Sequence, residues 1–522
     1  MSRPMVGTPG RDALTGGIVD RPGHYHRGDM VNRLSPDDAM YYFLDRSGTT
    51  THLGALLILD PAAAPRGAAL DYAALVALVE NRLQLVPRYR QVVTEVTLGL
   101  ARPLWVDDRD FDITFHIRRS ALPQPGDDEA LSEFIARVMS RPLDRHRPLW
   151  EMYLIEGLPD GRIAILTKTH RCLLDEEQHL EISEVITDET PEVGHYEEDL
   201  WMPGRPPGSR AVTMGALAEA VARPGELVES VFSGTGPIAD LLSLADQSVR
   251  FVGNTVQQLV NAAPDSPLNT TASAARLFTF VWVPRTQVQE IAERFECSFN
   301  DVVLAVVTGV MRRWTLSVKD SMSHGETVRA VLPLGAREPV ADERAGGGWI
   351  CEGRAEFITD LPVGEDSPSV RLMQVAGLAE RYSQSQRRMT PGLRPLLPEL
   401  GVVPFADVST RVFNRIFQRS YNVPIRIADR RIGCRYVNGV PVRDLFTVPP
   451  LLASRALAIS VNEYCEKVEF AFLADRNVLG DLPAMAGYVL DSIDELATGG
   501  FEAITDTGAG PRSGTAGSPE EE

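Results

Sequence analysis

The sequence predicts a mixed α/β fold built as two lobes. Strand-like and helix-like patterns are mixed up to about residue 195, a Pro- and Gly-rich stretch interrupts them, and a second mixed region begins at residue 276. The chain has 522 residues, of which 44% are hydrophobic and 24% are charged, so it is long enough to bury more than one core. Residues 1–30 and 501–522 are poor in apolar side chains, and we expect them to be disordered tails.

The first lobe is expected within residues 31–195. Residues 52–59 form an apolar run that is typical of a buried strand, and residues 72–85 repeat apolar side chains at helical spacing. A further apolar run at residues 163–169 predicts a strand that leads directly into His170.

Residues 196–275 are expected to connect the lobes. The sequence W-M-P-G-R-P-P-G at 201–208 breaks any regular element, and residues 238–260 then keep one apolar helical face. We interpret this face as packing onto a lobe. A lipid-contacting helix is the alternative, but the polar face carries Asp246 and Gln247 where a membrane-surface helix carries basic residues.

The second lobe is expected within residues 276–500. Asn300 is placed to cap a helix whose apolar positions recur at intervals of three and four through Trp314. Alternating apolar residues at 457–461 and 468–472 predict a pair of neighbouring strands.

Charge and composition exclude several classes of function. The chain has 52 Lys and Arg residues against 71 Asp and Glu, a formal net charge of −19, which argues against nucleic-acid binding and against electrostatic attachment to an acidic membrane. No apolar run reaches the roughly 20 residues that span a bilayer, and no signal peptide is recognisable, so we expect a cytoplasmic protein. The five cysteines are scattered and lack the spacing of zinc ligands, so we interpret them as thiols: Cys172, Cys297, Cys351, Cys434 and Cys465. We expect no metal or other cofactor.

Five short blocks stand out from the general pattern of the chain. They are L-S-P-D-D-A-M at 34–40, P-L-D-R-H-R-P-L-W-E at 142–151, H-R-C-L-L-D-E at 170–176, P-L-N at 267–269 and N-D-V-V-L-A at 300–305. In this order they resemble the bacterial wax ester synthase/diacylglycerol acyltransferase family, and the resemblance extends over about residues 31–498.

The resemblance implies two chloramphenicol-acetyltransferase-like lobes with a channel between them. It implies long-chain acyl-CoA as one substrate and diacylglycerol or a fatty alcohol as the acceptor, with peripheral attachment to membranes or lipid inclusions. In the family motif H-H-x-x-x-D-G, the second His removes the hydroxyl proton and the alkoxide then attacks the thioester carbonyl. Asp175 matches the motif Asp, which orients the site.

The match fails at the general base. Aligned on Asp175, the first motif His is His170, the second is Arg171, and the motif Gly is Glu176. A guanidinium group has a pKa above about 12 and does not accept a proton at neutral pH. His170 and, more remotely, His179 are the candidate substitute bases, while Arg171 and Glu176 are alternatively a pair that fills the vacated site.

Three functions therefore stay open. The first is an O-acyltransferase of triacylglycerol or wax ester metabolism with lost or weakened catalysis, and the second is a non-catalytic protein that binds acyl-CoA, a lipid or a partner enzyme. The third, a condensation-type acyltransferase, shares the motif but is disfavoured by the other blocks. Further departures at 346–349, 425–426 and 453–459 favour weakened catalysis. Asn300 and Asp301 are candidates for substrate binding or, alternatively, for the cap and first turn of a helix.

Overall fold

The computed structural model describes residues 32–45, 52–95, 102–174, 180–204, 208, 263–333, 356–384 and 421–499, with short gaps at 66–67, 69, 195, 197–199, 271–272, 429–430 and 453. Both expected tails, the helix expected at 238–260 and the altered block at 346–349 lie outside the described residues.

One six-stranded sheet contains the motif strand. Its members are β1 (His52–Leu59), β4 (Ile117–Ala121), β5 (Trp150–Glu156), β6 (Ile163–His170), β11 (Tyr436–Val437) and β12 (Val440–Val448). Their order is β11-β12-β1-β6-β5-β4, and β1 and β6 coincide with two strands that the apolar runs predict. Two further strands form a separate two-stranded sheet: β2 (Gln91–Thr94) and β3 (Leu104–Asp107).

A second six-stranded sheet is built from the later part of the chain. Its members are β7 (Arg276–Pro284), β8 (Val328–Pro333), β9 (Glu356–Leu361), β10 (Val423–Ile427), β13 (Leu457–Tyr464) and β14 (Lys467–Asp475), in the order β7-β14-β13-β10-β8-β9. The predicted strand pair is confirmed, because β13 and β14 are antiparallel neighbours with Ile459 opposite Phe472.

The helices cover apolar faces of these sheets. Within the described residues they are α1 (Pro36–Leu44), α2 (Tyr72–Arg82), α3 (Ile113–His116), α4 (Asp128–Met139), α5 (Ile182–Val185), α6 (Arg285–Arg294), α7 (Phe299–Val318), α8 (Pro368–Gln384) and α9 (Ala484–Thr498).

Helix α7 begins earlier than the sequence predicts. Its N-cap is Ser298, whose hydroxyl accepts a hydrogen bond from the Asp301 N–H, while the Asp301 carboxylate accepts one from the Ser298 N–H, both at 3.1 Å. This reciprocal capping box satisfies two backbone donors at once, which explains why the helix starts at Ser298. Asn300, expected as the cap, lies inside the first turn instead.

Strand β12 joins the two halves of the chain. It comes from the later part of the sequence but pairs antiparallel with β1 in the first sheet, with Leu445 opposite Leu57. The buried Glu469 carboxylate of β14 accepts two 3.0 Å contacts from the Leu445 N–H, which links β12 back to the second sheet. The division of the chain into lobes at residues 31–195 and 276–500 stays a prediction. Strand β12 comes from the later of these two ranges but belongs to the first sheet.

An apolar core also lies between the sheets. Besides one buried cluster in each lobe, a third combines Leu56 and Ile58 of β1 with Phe278 of β7 and Leu473 of β14. Burial of this shared surface is the main force that holds the two sheets together.

The cysteines differ from the expectation that all are thiols. Cys434 and Cys465 form a disulfide bond, with Cα atoms 5.0 Å apart. The two segments meet because the Cys465 N–H donates to the Ile432 carbonyl at 2.9 Å, which brings residues distant in sequence side by side. Cys172 and Cys297 are free thiols.

Gly54→Ala should destabilise the first sheet. A Cβ at residue 54 would lie 2.0 Å from the Thr167 carbonyl oxygen of β6, so the strands must separate or shift. We expect the free energy of unfolding to fall by about 1–3 kcal/mol in urea denaturation. Gly487→Ala in α9 is the matched control, since nothing lies within 4 Å of its Cβ and alanine favours the helix. Equal stability of the two variants would contradict the close approach of β1 to β6.

Candidate active site

The site is built where strand β1 begins and its antiparallel neighbour β6 ends. The antiparallel register places His52 directly opposite His170, and the two ring centroids lie 5.8 Å apart. Both side chains are buried. His170 was a candidate from the sequence, whereas His52 was missed, because only the pairing of the strands relates residues so far apart in the chain.

Asp45 faces both histidines from the end of α1. Its Oδ1 lies 4.0 Å from His52 Nε2, and its Oδ2 lies 3.9 Å from His170 Nε2. Arg145, from the P-L-D-R-H-R-P-L-W-E block, donates to Asp45 Oδ2 at 3.4 Å and to the Tyr42 carbonyl at 2.7 Å. Burial raises the pKa of Asp45, and Arg145 opposes that rise. We call Asp45, His52 and His170 the histidine cluster.

His170 is held as a neutral side chain. Its Nδ1 accepts a hydrogen bond from the Cys172 N–H at 3.1 Å, which assigns the ring proton to Nε2, the nitrogen that faces Asp45. Burial lowers the pKa of His170 to about 3, with smaller effects in the same direction from Arg145 and Arg171. The ring therefore caps the turn that follows β6.

His52 is neutral for similar reasons. Burial lowers its pKa well below the usual value, and the positive charge of Lys168 adds to the effect. Among the described residues, neither ring nitrogen of His52 makes a hydrogen bond.

Arg171 is the residue that the motif resemblance places at the family's general base. Strand β6 ends at His170, and Arg171 begins a 3₁₀ turn, so strand alternation does not set its direction. The guanidinium carbon lies 4.9 Å from the ring centroid of Tyr41, while the His170 ring faces Tyr42 with centroids 6.4 Å apart. The two neighbours thus face different residues of α1, and the candidacy of His170 as a substitute base remains a prediction.

Three of the residues singled out from the sequence lie outside the described residues. They are Asp175, Glu176 and His179. The orienting role of Asp175, the pairing of Glu176 with Arg171 and the remote candidacy of His179 remain predictions.

Lys168 ties the motif strand to helix α4. Its buried ammonium donates to the Val138 carbonyl at 2.9 Å and to the Arg141 carbonyl at 2.5 Å. Burial lowers its pKa to about 8. The carbonyls at the end of a helix attract a cation, so this contact fixes α4 against β6.

Two of the recognised blocks support the scaffold away from the histidine cluster. Asn269 of the P-L-N block donates to the Tyr421 carbonyl at 2.7 Å and accepts from Asn422 at 2.7 Å. Asp301 is engaged in the capping box of α7. Substrate binding by Asn300 and Asp301 remains a prediction.

The described part of the chain contains neither a metal-binding cluster nor a membrane-spanning helix. No group of three or more His, Cys, Asp and Glu side chains there could hold a metal ion. No helix in the same part is long and apolar enough to cross a membrane.

Comparison with known families decides the assignment. The profile described as "Wax ester synthase/diacylglycerol acyltransferase catalytic domain" matches residues 34–303, and the "WS/DGAT C-terminal domain" matches residues 434–497. The chain belongs to the WS/DGAT family. The resemblance carried by the five blocks is thereby confirmed.

Individual relatives agree with the family. The chain is 46% identical over 273 residues to "Probable diacyglycerol O-acyltransferase tgs3" of Mycobacterium tuberculosis, covering 51% of this chain and 98% of the relative. It is 27% identical over 478 residues to "Probable diacyglycerol O-acyltransferase tgs1" of the same organism, covering 89% and 96%. A wax ester synthase/diacylglycerol acyltransferase structure from Marinobacter aquaeolei VT8 aligns with a TM-score of 0.63 at 21% identity, covering 89% and 98%, which confirms the two-lobe acyltransferase fold.

The depressed pKa of His170 predicts a specific pH dependence of stability. An unfolded histidine has a pKa near 6.5, so between about pH 6.5 and pH 3 the unfolded chain binds a proton that the folded chain does not. The contribution of His170 to the free energy of unfolding is therefore fully present above pH 6.5 and is lost as the pH is lowered towards 3.

His170→Gln removes this proton-linked loss. From pH 7.5 to pH 5.0, its free energy of unfolding in urea should fall by about 2 kcal/mol less than that of the native chain. The comparison cancels the contributions of the buried carboxyl groups. The same pH dependence in both proteins would show that His170 protonates as an exposed histidine does.

Proposed function

We propose that this chain is a WS/DGAT-type O-acyltransferase-like protein of neutral lipid metabolism in which acyl transfer is lost or strongly weakened. Its ligands would be long-chain acyl-CoA and a diacylglycerol or fatty alcohol acceptor. The main support for this proposal is the identity of residue 171, which is an arginine where the family mechanism requires a proton acceptor. The lipid assignment is supported by the relatives named as diacylglycerol acyltransferases.

Replacement of the general base by Arg171 should lower the rate of acyl transfer. An alcohol is a poor nucleophile at neutral pH, and a positioned general base contributes about 10² to 10⁴ in rate. The guanidinium of Arg171 is permanently protonated and lies over the Tyr41 ring. It can hold an anion or a carbonyl oxygen, but it cannot remove the hydroxyl proton.

His170 is a poor substitute base. Its ring is fully buried, its Nδ1 is engaged by the Cys172 N–H, and its pKa is lowered to about 3. A general base works best when its pKa is close to the working pH, and it must reach the proton it removes. His170 meets neither requirement in this arrangement.

A non-catalytic binding protein is the second candidate. The scaffold interactions remain in place, including the shared core between the sheets and the hydrogen bond between Asn269 and Asn422. The departures from the family fall at the motif and at 346–349, 425–426 and 453–459, whereas the scaffold blocks match the family, so in this role the fold is kept while the base is lost. In this role the chain would bind acyl-CoA, a lipid or a partner enzyme in the cytoplasm or at the surface of membranes or lipid inclusions.

The double variant Arg171→His, Glu176→Gly restores the family motif. We expect the native chain to show no acyl transfer above the uncatalysed rate from a long-chain acyl-CoA to diacylglycerol or a fatty alcohol. The double variant should gain about 10²-fold or more, because it regains a general base. Release of CoA and formation of the neutral lipid are measured together.

Arg171→Gln, Glu176→Gly is the matched control. It removes the positive charge without supplying a base, so it should stay at the level of the native chain. A gain in the control equal to that of the His variant would show that charge removal, and not base chemistry, limits the reaction.

Acyl-CoA should stabilise the native chain even without turnover. A ligand at 100 times its Kd that binds only the folded state adds about 2.7 kcal/mol of stability. We therefore expect palmitoyl-CoA to raise Tm, with free CoA as the control for the acyl chain. No rise in Tm at saturating palmitoyl-CoA would refute the binding role.

A further inference from the structure

A groove rich in arginine lies where helix α4 meets the beginning of β7. It encloses about 360 Å³ between the two parts of the chain. Its lining residues are Glu133, Ala136, Arg137, Ser140, Ala275, Arg276 and Arg476. We call it the arginine groove.

The charge of this groove is opposite to that of the protein. Three arginines and one glutamate give its lining a net charge of +2, in a chain whose formal net charge is −19. The remaining lining side chains are small, so the guanidinium groups border open space. The Ser140 hydroxyl donates to the Arg137 carbonyl at 2.8 Å.

The two outer arginines are exposed and not neutralised. Among the described residues, neither Arg137 nor Arg476 forms an ion pair with a carboxylate, although Glu133 lies one helical turn before Arg137. The guanidinium of Arg137 lies 5.7 Å from the ring centroid of Phe134, which orients it without neutralising it.

The third arginine forms the inner end of the groove. Arg276 is buried, and it donates to the Ser273 carbonyl and, at 3.4 Å, to the Ala275 carbonyl. The nearby carboxylate of Asp475 already accepts from the Ser273 hydroxyl at 2.9 Å and from the Asn477 N–H at 2.8 Å. Burial lowers the pKa of Arg276, and Asp475 opposes this effect.

We propose that the arginine groove binds the phosphate groups of a ligand, with Arg137 and Arg476 at its mouth and Arg276 at its inner end. Planar guanidinium groups bind phosphate oxygens through paired, charge-assisted hydrogen bonds. The volume suits a compact polyphosphate or nucleotide-sized group. A soluble phosphate ester and the headgroup of a phosphorylated lipid share this chemistry.

The groove is electrostatically connected to the histidine cluster. The charge of Arg276 is one of the influences that lower the pKa of His52. A phosphate at the inner end would therefore lie close enough to the motif strands to affect their charge balance. The proposal does not depend on acyl transfer, because it concerns only the phosphate groups.

The test measures binding of three probes to the native chain by isothermal titration calorimetry. Pyrophosphate and adenosine 3′,5′-bisphosphate represent soluble phosphate esters, and vesicles with phosphatidic acid in phosphatidylcholine represent a lipid headgroup. None of the probes carries an acyl thioester, so failure here is distinct from failure of the proposed function. Binding should weaken as salt rises.

Arg137→Gln, Arg476→Gln should weaken binding of the preferred probe by about tenfold or more, because two charge-assisted contacts are lost. Both arginines are exposed, so the fold should be unaffected, as far-UV circular dichroism can verify. Arg109→Gln, Arg162→Gln changes the charge equally outside the groove and should bind like the native chain. No binding of any probe, or equal weakening in both double variants, would overturn the proposal.

Discussion

The antiparallel pairing of β1 with β6 is the constraint on which the site depends. It brings His52 and His170 together, and the close approach at Gly54 leaves no room for a larger residue between the strands. On its other edge β1 pairs with β12, a strand supplied by the later part of the chain. The complete first sheet therefore contains strands from both parts of the chain.

Burial of the cluster has a chemical consequence. Histidines removed from water and placed near cations lose their affinity for protons, so His52 and His170 are neutral at neutral pH. The first His of the family motif is thus accounted for by its role in capping the turn after β6. The second position, where the chemistry requires a base, holds Arg171. On the proposed function, the protein keeps the part of the motif that builds the fold and lacks the part that moves the proton.

Local sequence patterns predict several of the strands and helices named above, but they do not predict which distant residues contact each other. Periodicity and apolar runs identified β1, β6, α7 and the β13–β14 pair, because burial on one or both faces leaves a direct pattern in the chain. The start of α7 was misplaced because Ser298 and Asp301 together make a stronger cap than Asn300. The grouping of Asp45, His52 and Arg145 and the disulfide bond between Cys434 and Cys465 have no local sequence signal, because they arise from long-range packing that no local spacing records.

The central claim is that no residue of the motif acts as a general base in the native chain. It is tested most directly by measuring acyl transfer from a long-chain acyl-CoA to diacylglycerol with the native chain and with His170→Ala, at equal concentration and neutral pH. The account predicts that neither protein exceeds the uncatalysed rate. Turnover by the native chain at the rate of an active family member, abolished in His170→Ala, would contradict it.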